Sequence, residues 1–354
     1  MGKAMRVALA SLPAAMLVVG LAAGCSRNGA APAAASPVPV TPSPAASAGP
    51  PVSPSPSATG PAVTAAEAAR VTREILAADD VLRVAGGERD ALLQTRDGQR
   101  SIISAQFRST GLAPRRFTWG EPKLLVPRLV RPPLWFAAVA ERRDRGGGHP
   151  RTAVLVFMKE SDTALWQLSF ASLLYPGVSL PEVARDAEGY ATALSTRDST
   201  TAISPHLMAP LHATIAEEGP GGFAAGLIAA GPQTTGYFAE VQKITPDAKR
   251  RGFLYDSLFA ATTFPIYALR TADGGALILY SLTRKTLTQA KTDNAFGLVP
   301  VPKDVRWAVK RPVVRSRLSV EQTQQYISHV RRKGAAEPAR IIAFDGAPTR
   351  VSGD

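Results

Sequence analysis

The residue whose type and position most specifically indicate chemistry is Cys25, the one cysteine of the chain. It follows the small residues Ala22, Ala23 and Gly24 at the end of an apolar run. Small residues after such a run are typical of a signal-peptide cleavage site. A single cysteine excludes an intramolecular disulfide, so the fold must be held by its core. The sequence therefore predicts cleavage between Gly24 and Cys25, which leaves the cysteine at the new N-terminus.

Residues 1–24 have the layout of a secretory leader, because two positive residues precede an apolar run of 18 residues. Together with Cys25 they resemble a bacterial lipobox, although Ala stands three residues before the cysteine, where Leu is usual. The resemblance implies a diacylglyceryl group on Cys25 and a further acyl chain such as palmitate. It also implies a protein anchored at the extracytoplasmic face of the cell membrane. Two alternatives stay open: an uncleaved transmembrane helix, which Pro13 and the short run disfavour, and release after cleavage.

Residues 25–62 are predicted to be a disordered tether. Ten prolines lie between residues 28 and 62, where Ala and Ser make up most of the rest, and no charged residue occurs between Arg27 and Glu67. Such a composition cannot bury a core and favours polyproline conformations. In that form 35 residues reach about 100 Å, so we expect a spacer that lifts the folded part off the membrane.

Recognisable catalytic and cofactor motifs are missing from the sequence. It contains no H-E-x-x-H, no G-x-x-x-x-G-K-[ST], no G-x-S-x-G and no EF-hand loop. The four histidines are His149, His206, His212 and His329. We therefore predict no metal, no cofactor and no enzymatic activity. The alternative is an envelope enzyme with an unrecognised site, which a histidine within hydrogen-bonding distance of a carboxylate in a cleft would favour.

The chain is basic, with a formal net charge of +13. Such an excess favours anionic partners, and for an exported protein we expect lipid headgroups or an acidic wall polymer rather than nucleic acid. The densest excess lies in residues 300–354, where an ordinary solvated surface is the alternative. The predicted anionic-partner face there consists of Lys310, Arg311, Arg315, Arg317, Arg331, Arg332 and Lys333.

Two further basic segments have simpler explanations. Residues 142–151 hold four arginines around a glycine turn and indicate a solvated hairpin tip. Residues 249–251, Lys-Arg-Arg, follow a predicted helix start at Thr245-Pro246, and cations are favoured near a helix C-terminus.

The first predicted domain spans residues 63–198 and begins with a helix. Thr64 and Glu67 form a capping-box pattern, apolar residues recur at helical spacing to Ala85, and Gly86 ends the run. Ser179 is predicted to open a second, short helix. Strands are predicted near residues 117–119, 134–140, 152–158 and 164–170, which makes an antiparallel meander.

The second predicted domain spans residues 199–354. Ser204-Pro205 predicts a helix start and Gly219 its end, although Pro210 must kink this helix or mark a later start. Ser319 with Gln322 predicts another helix through Val330. Strands are predicted at residues 237–244, 264–270, 276–283 and 305–317, with turns at residues 273–275 and 345–346 and an apolar run at 341–344.

Helices followed by meanders predict an α+β fold of two tandem domains, each a helix packed on a curved antiparallel sheet. In outline these halves are similar to cystatin-like or NTF2-like domains. The leader and tether, together with segments such as Trp135-Phe136, Leu165-Trp166-Gln167-Leu168 and residues 342–346, resemble a family of uncharacterised lipoproteins from high-GC Gram-positive (actinobacterial) bacteria. The resemblance implies no particular activity.

The function predicted from the sequence is a lipid-anchored binding or scaffolding protein of the cell envelope, without catalysis. One version has ligand sites inside the cones that helix-on-sheet domains can form. A structural subunit of an envelope complex is a further alternative.

Overall fold

The computed structural model describes residues 60–291 and 297–353. The predicted leader, the lipidation site Cys25 and nearly all of the tether therefore lie outside the described residues. Among the helices that are described, none combines the length and the apolar character needed to cross a membrane.

Six α-helices lie within the described residues. Helix α1 begins where predicted, because the Thr64 side chain accepts a hydrogen bond from the Glu67 amide at 3.1 Å. It ends at Gly86, whose φ of +68° allows its amide to bond back to Leu82. The bounds are α1 (Ala65–Ala85), α2 (Glu88–Leu93), α3 (Asp97–Ser109), α4 (Pro205–Glu218), α5 (Thr235–Arg250) and α6 (Arg306–Val309).

Twelve strands lie in the same described ranges. They are β1 (Phe117–Trp119), β2 (Lys123–Leu125), β3 (Leu134–Asp144), β4 (Arg151–Lys159), β5 (Gln167–Leu174), β6 (Phe253–Ala261), β7 (Tyr267–Arg270), β8 (Ala276–Ala290), β9 (Leu298–Pro300), β10 (Val313–Arg315), β11 (Arg317–Val330) and β12 (Arg340–Gly353).

Ten of these strands form one antiparallel sheet. Its order is β1-β3-β4-β5-β12-β11-β8-β6, with β2 paired to β3 and β7 paired to β8. The longest ladder joins β8 to β11 over the whole length of β11. Strands β5 and β12 pair only through Leu173–Phe344 and Leu174–Ala343. Strands β9 and β10 form a separate two-stranded ribbon.

The first and second halves of the chain share one core between their parts of the sheet. Alternate residues of β4, Val154 and Val156, belong to the same buried cluster as Leu277 and Leu279 of β8. Their neighbours point the other way: Leu155 and Phe157 pack with α1, whereas Ile278 and Tyr280 pack with α4 and α5. Two sheet faces therefore meet at the centre, with helices on both outer sides.

The α+β class is confirmed, whereas two separate cystatin-like or NTF2-like domains are not. The predicted division at residues 198/199 falls between β5 and α4, and strands from both sides of it join one sheet and one core. Helix α3 also crosses the division, because it packs on β5, β11 and β12 together.

Two predicted elements are of the wrong type. Residues 319–330 are not a helix but form most of β11. Thr323 to Ser328 are all buried, so polar and apolar residues do not alternate along this strand as they would in a half-buried one. Residues 237–244 are not a strand but lie within α5. Tyr237, near the start of this helix, is buried against α4.

Four smaller expectations also differ. Residues 179–182 form no helix, because the chain there runs extended beside β7, with Val183 bridged to Thr271. Residues 305–317 contain α6 and β10 rather than one strand. The predicted turn at 345–346 continues β12, and α5 begins well before Thr245. The sequence analysis did not predict α2 or α3.

Candidate ligand site beneath helix α1

A small cavity of about 40 Å³ lies beneath α1 in the first half of the chain. Its walls come from α1, α2, α3, the strands β1, β3, β4 and β5, and residue Asp345 of β12. A volume of this kind has room for about three water molecules or for one small chemical group. The cavity is therefore enclosed by segments that are far apart in the sequence.

Three buried polar atoms on the cavity wall have no hydrogen-bond partner among the described residues. They are Oε1 of Gln99, Oε1 of Gln106 and Nε1 of Trp119. Gln99 and Gln106 lie seven residues apart on α3 and so share one of its faces, and Trp119 ends β1. Leaving a buried polar atom unpaired costs about 1–3 kcal/mol, so three around one cavity point to something that pairs with them there.

The charged groups of the wall are Arg142 on β3 and Asp345 on β12. The Arg142 Nη1 lies 3.8 Å from the Asp345 Oδ2, too far for a hydrogen bond. Burial raises the pKa of Asp345, and the nearby Arg142 opposes this rise. Burial also lowers the pKa of Arg142, with Asp345 acting in the opposite sense. The Asp345 side chain lines the cavity and is 26% accessible.

Arg142 and a second arginine, Arg83, lie against the same aromatic ring. The guanidinium carbons of Arg142 and Arg83 lie 4.3 and 5.1 Å from the centroid of Phe117. Arg83 is itself bound, with Nε 2.7 Å from the Asp79 carboxylate and Nη1 donating to the Arg115 carbonyl at 2.9 Å. The Arg142 guanidinium forms no hydrogen bond within the described parts of the chain, so its donors are available to a ligand.

Helix α1 separates the cavity from two open grooves. One groove, of about 480 Å³, shares Ile75 and Gln94 with the cavity wall. The other, of about 560 Å³, shares Leu76 and Trp119 with it. The cavity therefore shares a side chain of α1 with each groove.

The arrangement can bind a small polar group. Arg142 and Trp119 are donors, the two glutamine oxygens are acceptors, and the surrounding wall is apolar with Leu155 and Ile103. Few polar groups set in an apolar wall are typical of sites for small molecules. Among the described residues, no group of His, Cys, Asp and Glu side chains is suited to hold a metal ion.

The core around His212 in the second half is filled by side chains. His212 on α4 is fully buried, with Nδ1 2.9 Å from the Tyr280 hydroxyl and Nε2 2.7 Å from the Gln233 backbone carbonyl. The Tyr280 hydroxyl also lies 2.9 Å from Ser328 Oγ. Burial lowers the pKa of His212 to about 4, although its hydrogen bond to Gln233 opposes the shift. The polar groups around His212 are therefore satisfied by one another.

The residues of the predicted anionic-partner face form two groups at opposite ends of β11. Arg317 begins this strand and Arg331 follows its end, about 45 Å away at the usual rise of a strand. Arg331 is bound to Asp273 and Glu337. The first group is Lys310, Arg311, Arg315 and Arg317, and the second is Arg331, Arg332 and Lys333. The other predicted site residues, Gly24 and Cys25, lie outside the described residues.

One histidine meets the geometric condition set for an enzyme. His329 Nε2 lies 3.2 Å from the Asp273 Oδ2, beside a groove of about 390 Å³. The two atoms are within ion-pair distance, but Nε2 has no partner in hydrogen-bond geometry. Asp273 also binds Arg331, and burial lowers the pKa of His329. Of the others, His206 lies on the surface with Nδ1 2.9 Å from the Thr196 carbonyl.

The cavity residues were not predicted from the sequence, for two reasons. Arg142 was assigned to a solvated hairpin tip, whereas it lies on the cavity wall with 22% of its side chain accessible. Gln99 and Gln106 lie on α3, which was not predicted. The spacing of Gln99, Ile103 and Gln106 would have put two polar side chains on an apolar helix face, which is the signal that could have found them.

The comparisons with known proteins agree with the sequence. Residues 59–353 match the model of the family described as Domain of unknown function (DUF8094). One relative, named uncharacterized lipoprotein, comes from Streptomyces avermitilis and is 27% identical over 49% of this chain and 48% of its own length. Two from Streptomyces coelicolor carry the same description. The first is 31% identical over 65% of this chain and 63% of its own length. The second is 27% identical over 46% of this chain and 46% of its own length.

The chain thus spans between about half and about two thirds of each of these relatives. No solved structure matches it. The predicted resemblance to uncharacterised actinobacterial lipoproteins is confirmed, and such relatives are consistent with a membrane-anchored protein. Because the family model covers nearly all of the described residues, the chain belongs to the family described as Domain of unknown function (DUF8094).

Proposed function

We propose that this protein is a lipid-anchored binding protein of the cell envelope, held at the extracytoplasmic face by acyl chains on Cys25. Its ligand site is the cavity beneath α1, and its ligand carries a small polar group. The observation that carries this proposal is the set of three unpaired buried polar atoms, on Gln99, Gln106 and Trp119, around one cavity. The protein acts without catalysis and without a cofactor.

In this proposal the two halves keep the outline of helix-covered curved sheets, similar to cystatin-like or NTF2-like domains, but have different roles. Residues 63–198 provide most of the site, and Asp345 of the second half completes its wall. The core around His212 in residues 199–354 is filled, because His212, Tyr280 and Ser328 bond to one another there.

The anchor is supported by the leader, by the single cysteine and by the lipoprotein relatives. The test is the intact mass and membrane partition of the native protein beside a Cys25→Ala variant. We expect the wild type in the membrane fraction, at the mass of the chain from residue 25 plus acyl chains. Wild-type protein without lipid in the soluble fraction would refute the anchor.

The ligand site is tested with the protein purified from its own host under non-denaturing conditions. Native mass spectrometry should show a bound small molecule, or a thermal-shift screen of small carboxylates, amides and sugars should find one that raises the unfolding temperature. The Gln99→Leu variant should lose this binding, because it replaces a polar wall group by an apolar one.

Gln242→Leu is the matched control for this experiment. Gln242 lies exposed on α5, in the half whose core is filled, so its replacement should leave the binding unchanged. Equal binding by wild type and Gln99→Leu would show that the ligand does not occupy the cavity.

A hydrolytic enzyme is the second candidate, which the His329–Asp273 pair favours. In the described residues no serine, threonine or cysteine is hydrogen-bonded to His329, so the pair has no attached nucleophile. A His329→Ala variant assayed beside wild type on p-nitrophenyl esters separates the two proposals. Turnover by wild type that is lost in the variant would establish catalysis.

A further inference from the structure

Two basic segments that are distant in the sequence meet at one end of the long strands. The C-terminal turn of α5 and residues 297–317 surround one small buried cluster that contains Ala248, Val299 and Val314. The backbone joins them through the end of β8, because the Lys291 amide donates to the Gly252 carbonyl at 3.0 Å and the Ala290 amide donates to the Ser316 carbonyl at 2.7 Å. We call this region, made of residues 247–255, 287–291, 297–317 and 350–353, the cationic tip.

The cationic tip carries eleven Lys or Arg side chains and two carboxylates, those of Asp247 and Asp304. Three cations end α5, six lie between residues 303 and 317, and the others are Lys291 and Arg350; all but the half-buried Lys291 are exposed. Only the arginines at 250 and 251 are in ion pairs within the described parts of the tip, both with Asp247. Asp293 and Asp354 lie outside the described residues. The tip therefore has a large uncompensated positive charge.

Apolar side chains are exposed among these cations. In the β9–β10 ribbon, Val299 and Val314 face the buried cluster, so the residues beside them face outward. Leu298 is 41% exposed opposite Arg315, and Val313 is 38% exposed. The outer face of the ribbon thus presents leucine, valine and arginine together, above a groove of about 550 Å³.

The sheet face that points away from the ribbon also carries an apolar side chain beside a cation. Leu254 of β6 and Arg317 of β11 are both register partners of Gln289 on β8, so the three side chains share that face. Leu254 is 54% exposed. On the outer face of the ribbon, cations and apolar side chains lie on one surface. This combination binds at the interface of an anionic bilayer, where charge meets headgroups and apolar groups reach the acyl boundary.

We propose that the cationic tip docks on the surface of an anionic lipid bilayer. The inference rests on the proposed lipid anchor, which keeps this surface within reach. About 100 Å of chain can separate the anchor from residue 60, and β8 is about 50 Å long, so the tip can turn to the membrane. A soluble wall polymer would match the charge, but it would leave Leu298 and Val313 exposed to water.

Vesicle flotation tests the docking separately from the anchor. The chain from residue 25 is used with Cys25→Ser, so that it carries no lipid. It should float with vesicles of equal parts phosphatidylglycerol and phosphatidylcholine, stay behind with phosphatidylcholine alone, and release at about 1 M salt. Failure to float with anionic vesicles would overturn the docking, whereas the anchor would be judged by the native protein's mass and partition.

A matched pair of double variants locates the surface. Arg311→Gln with Arg315→Gln removes two exposed cations from the tip, and we expect about 30-fold weaker vesicle binding, since each such cation contributes about 1 kcal/mol near an anionic surface. Arg332→Gln with Lys333→Gln removes the same charge at the other end of β11 and should leave binding within about twofold. Equal losses in both would show attraction by net charge alone and refute a docking surface.

A third variant separates a bilayer from a polymer. Leu298→Ser with Val313→Ser keeps every charge, so it should bind polyphosphate in solution like wild type but bind anionic vesicles less tightly, by about tenfold, because apolar burial is lost. Unchanged vesicle binding by this variant would show that the apolar side chains do not enter the bilayer, and tight binding to polyphosphate with none to vesicles would identify a soluble polyanion. Either result would overturn the proposal.

Discussion

Arg142 and Asp345 face each other across the wall of the α1 cavity, with their nearest nitrogen and oxygen 3.8 Å apart and no hydrogen bond between them. They come from β3 and β12, two strands separated by about 200 residues of chain. Because no hydrogen bond joins the two side chains, the guanidinium of Arg142 can donate to a ligand and the carboxyl group of Asp345 can accept from it. The two groups also offset each other's charge.

Replacing Arg142 by Met should extend the pH range over which the folded protein loses stability. Burial already places the folded-state pKa of Asp345 above its unfolded value, so the folded state binds this proton more tightly and stability falls as pH rises through that interval. Without Arg142 the pKa of Asp345 should rise further. Urea unfolding between pH 4 and 8 measures the effect.

The control for this prediction is Arg143→Met on the same strand. Arg143 is exposed and pairs with Glu141 at the surface, 2.8 Å away, so its loss should leave the pH dependence as in wild type. The same pH dependence in both variants would show that Arg142 does not act on Asp345.

His212 should make the protein less stable as pH falls from about 6.5 to about 4. Its folded-state pKa of about 4 lies below the unfolded value, so the unfolded chain takes up the proton first and stability is lost through this interval. The full effect is about 3 kcal/mol. The Gln233 carbonyl can only accept, so Nε2 carries the proton and Nδ1 accepts from Tyr280.

Unfolding free energies of His212→Phe and His206→Gln measured across this pH range check the assignment. The first variant is expected to be less stable at pH 7 but with a flatter pH dependence. The second changes a half-buried histidine at the start of the same helix and should keep the wild-type slope. A wild-type slope in His212→Phe would contradict the prediction.

Replacement by Phe should change the unfolding free energy in opposite directions at Trp119 and at Trp166. Trp119 Nε1 is buried without a partner, so Trp119→Phe removes an unsatisfied donor and should raise the unfolding free energy of the ligand-free protein by about 1 kcal/mol. Trp166 Nε1 donates to Glu67 at 3.0 Å, so Trp166→Phe should lower it by about 1 kcal/mol. Both changes remove similar apolar area, and equal losses in urea unfolding would show that Trp119 is satisfied, for instance by bound water.

The sequence specifies those elements whose signals are local. Thr64, Gly86 and Pro205 mark the ends of α1 and the start of α4 through caps and backbone preferences, and the structure confirms each. Strand β11 was misassigned because its polar residues are buried by contacts across the fold. Gln325 donates to the Ser169 carbonyl and Gln324 donates to the Tyr237 hydroxyl, and neither partner is visible to a local pattern.

The candidate site was out of reach of the sequence for a related physical reason. A cavity is a property of packing, and its walls here come from residues between 75 and 345. For the predicted basic face, the sequence showed the local excess of charge but not its arrangement in space. Strand β11 separates the predicted residues into two groups. The structure places the cations at the end of α5 beside the group that contains Arg315 and Arg317.

The shared central core leads to a last prediction, that the two halves unfold together. Leu279 is fully buried in the cluster that also contains Val154 and Val156 of the other half. Leu279→Ala should lower the unfolding free energy by about 2–5 kcal/mol. Hydrogen exchange followed by mass spectrometry should then show protection lost equally in residues 63–198 and 199–354, whereas Leu258→Ala, at a side chain that is 54% exposed, should leave both halves protected. Loss confined to the second half would mean that the halves are energetically independent, and that the core they share does not couple them.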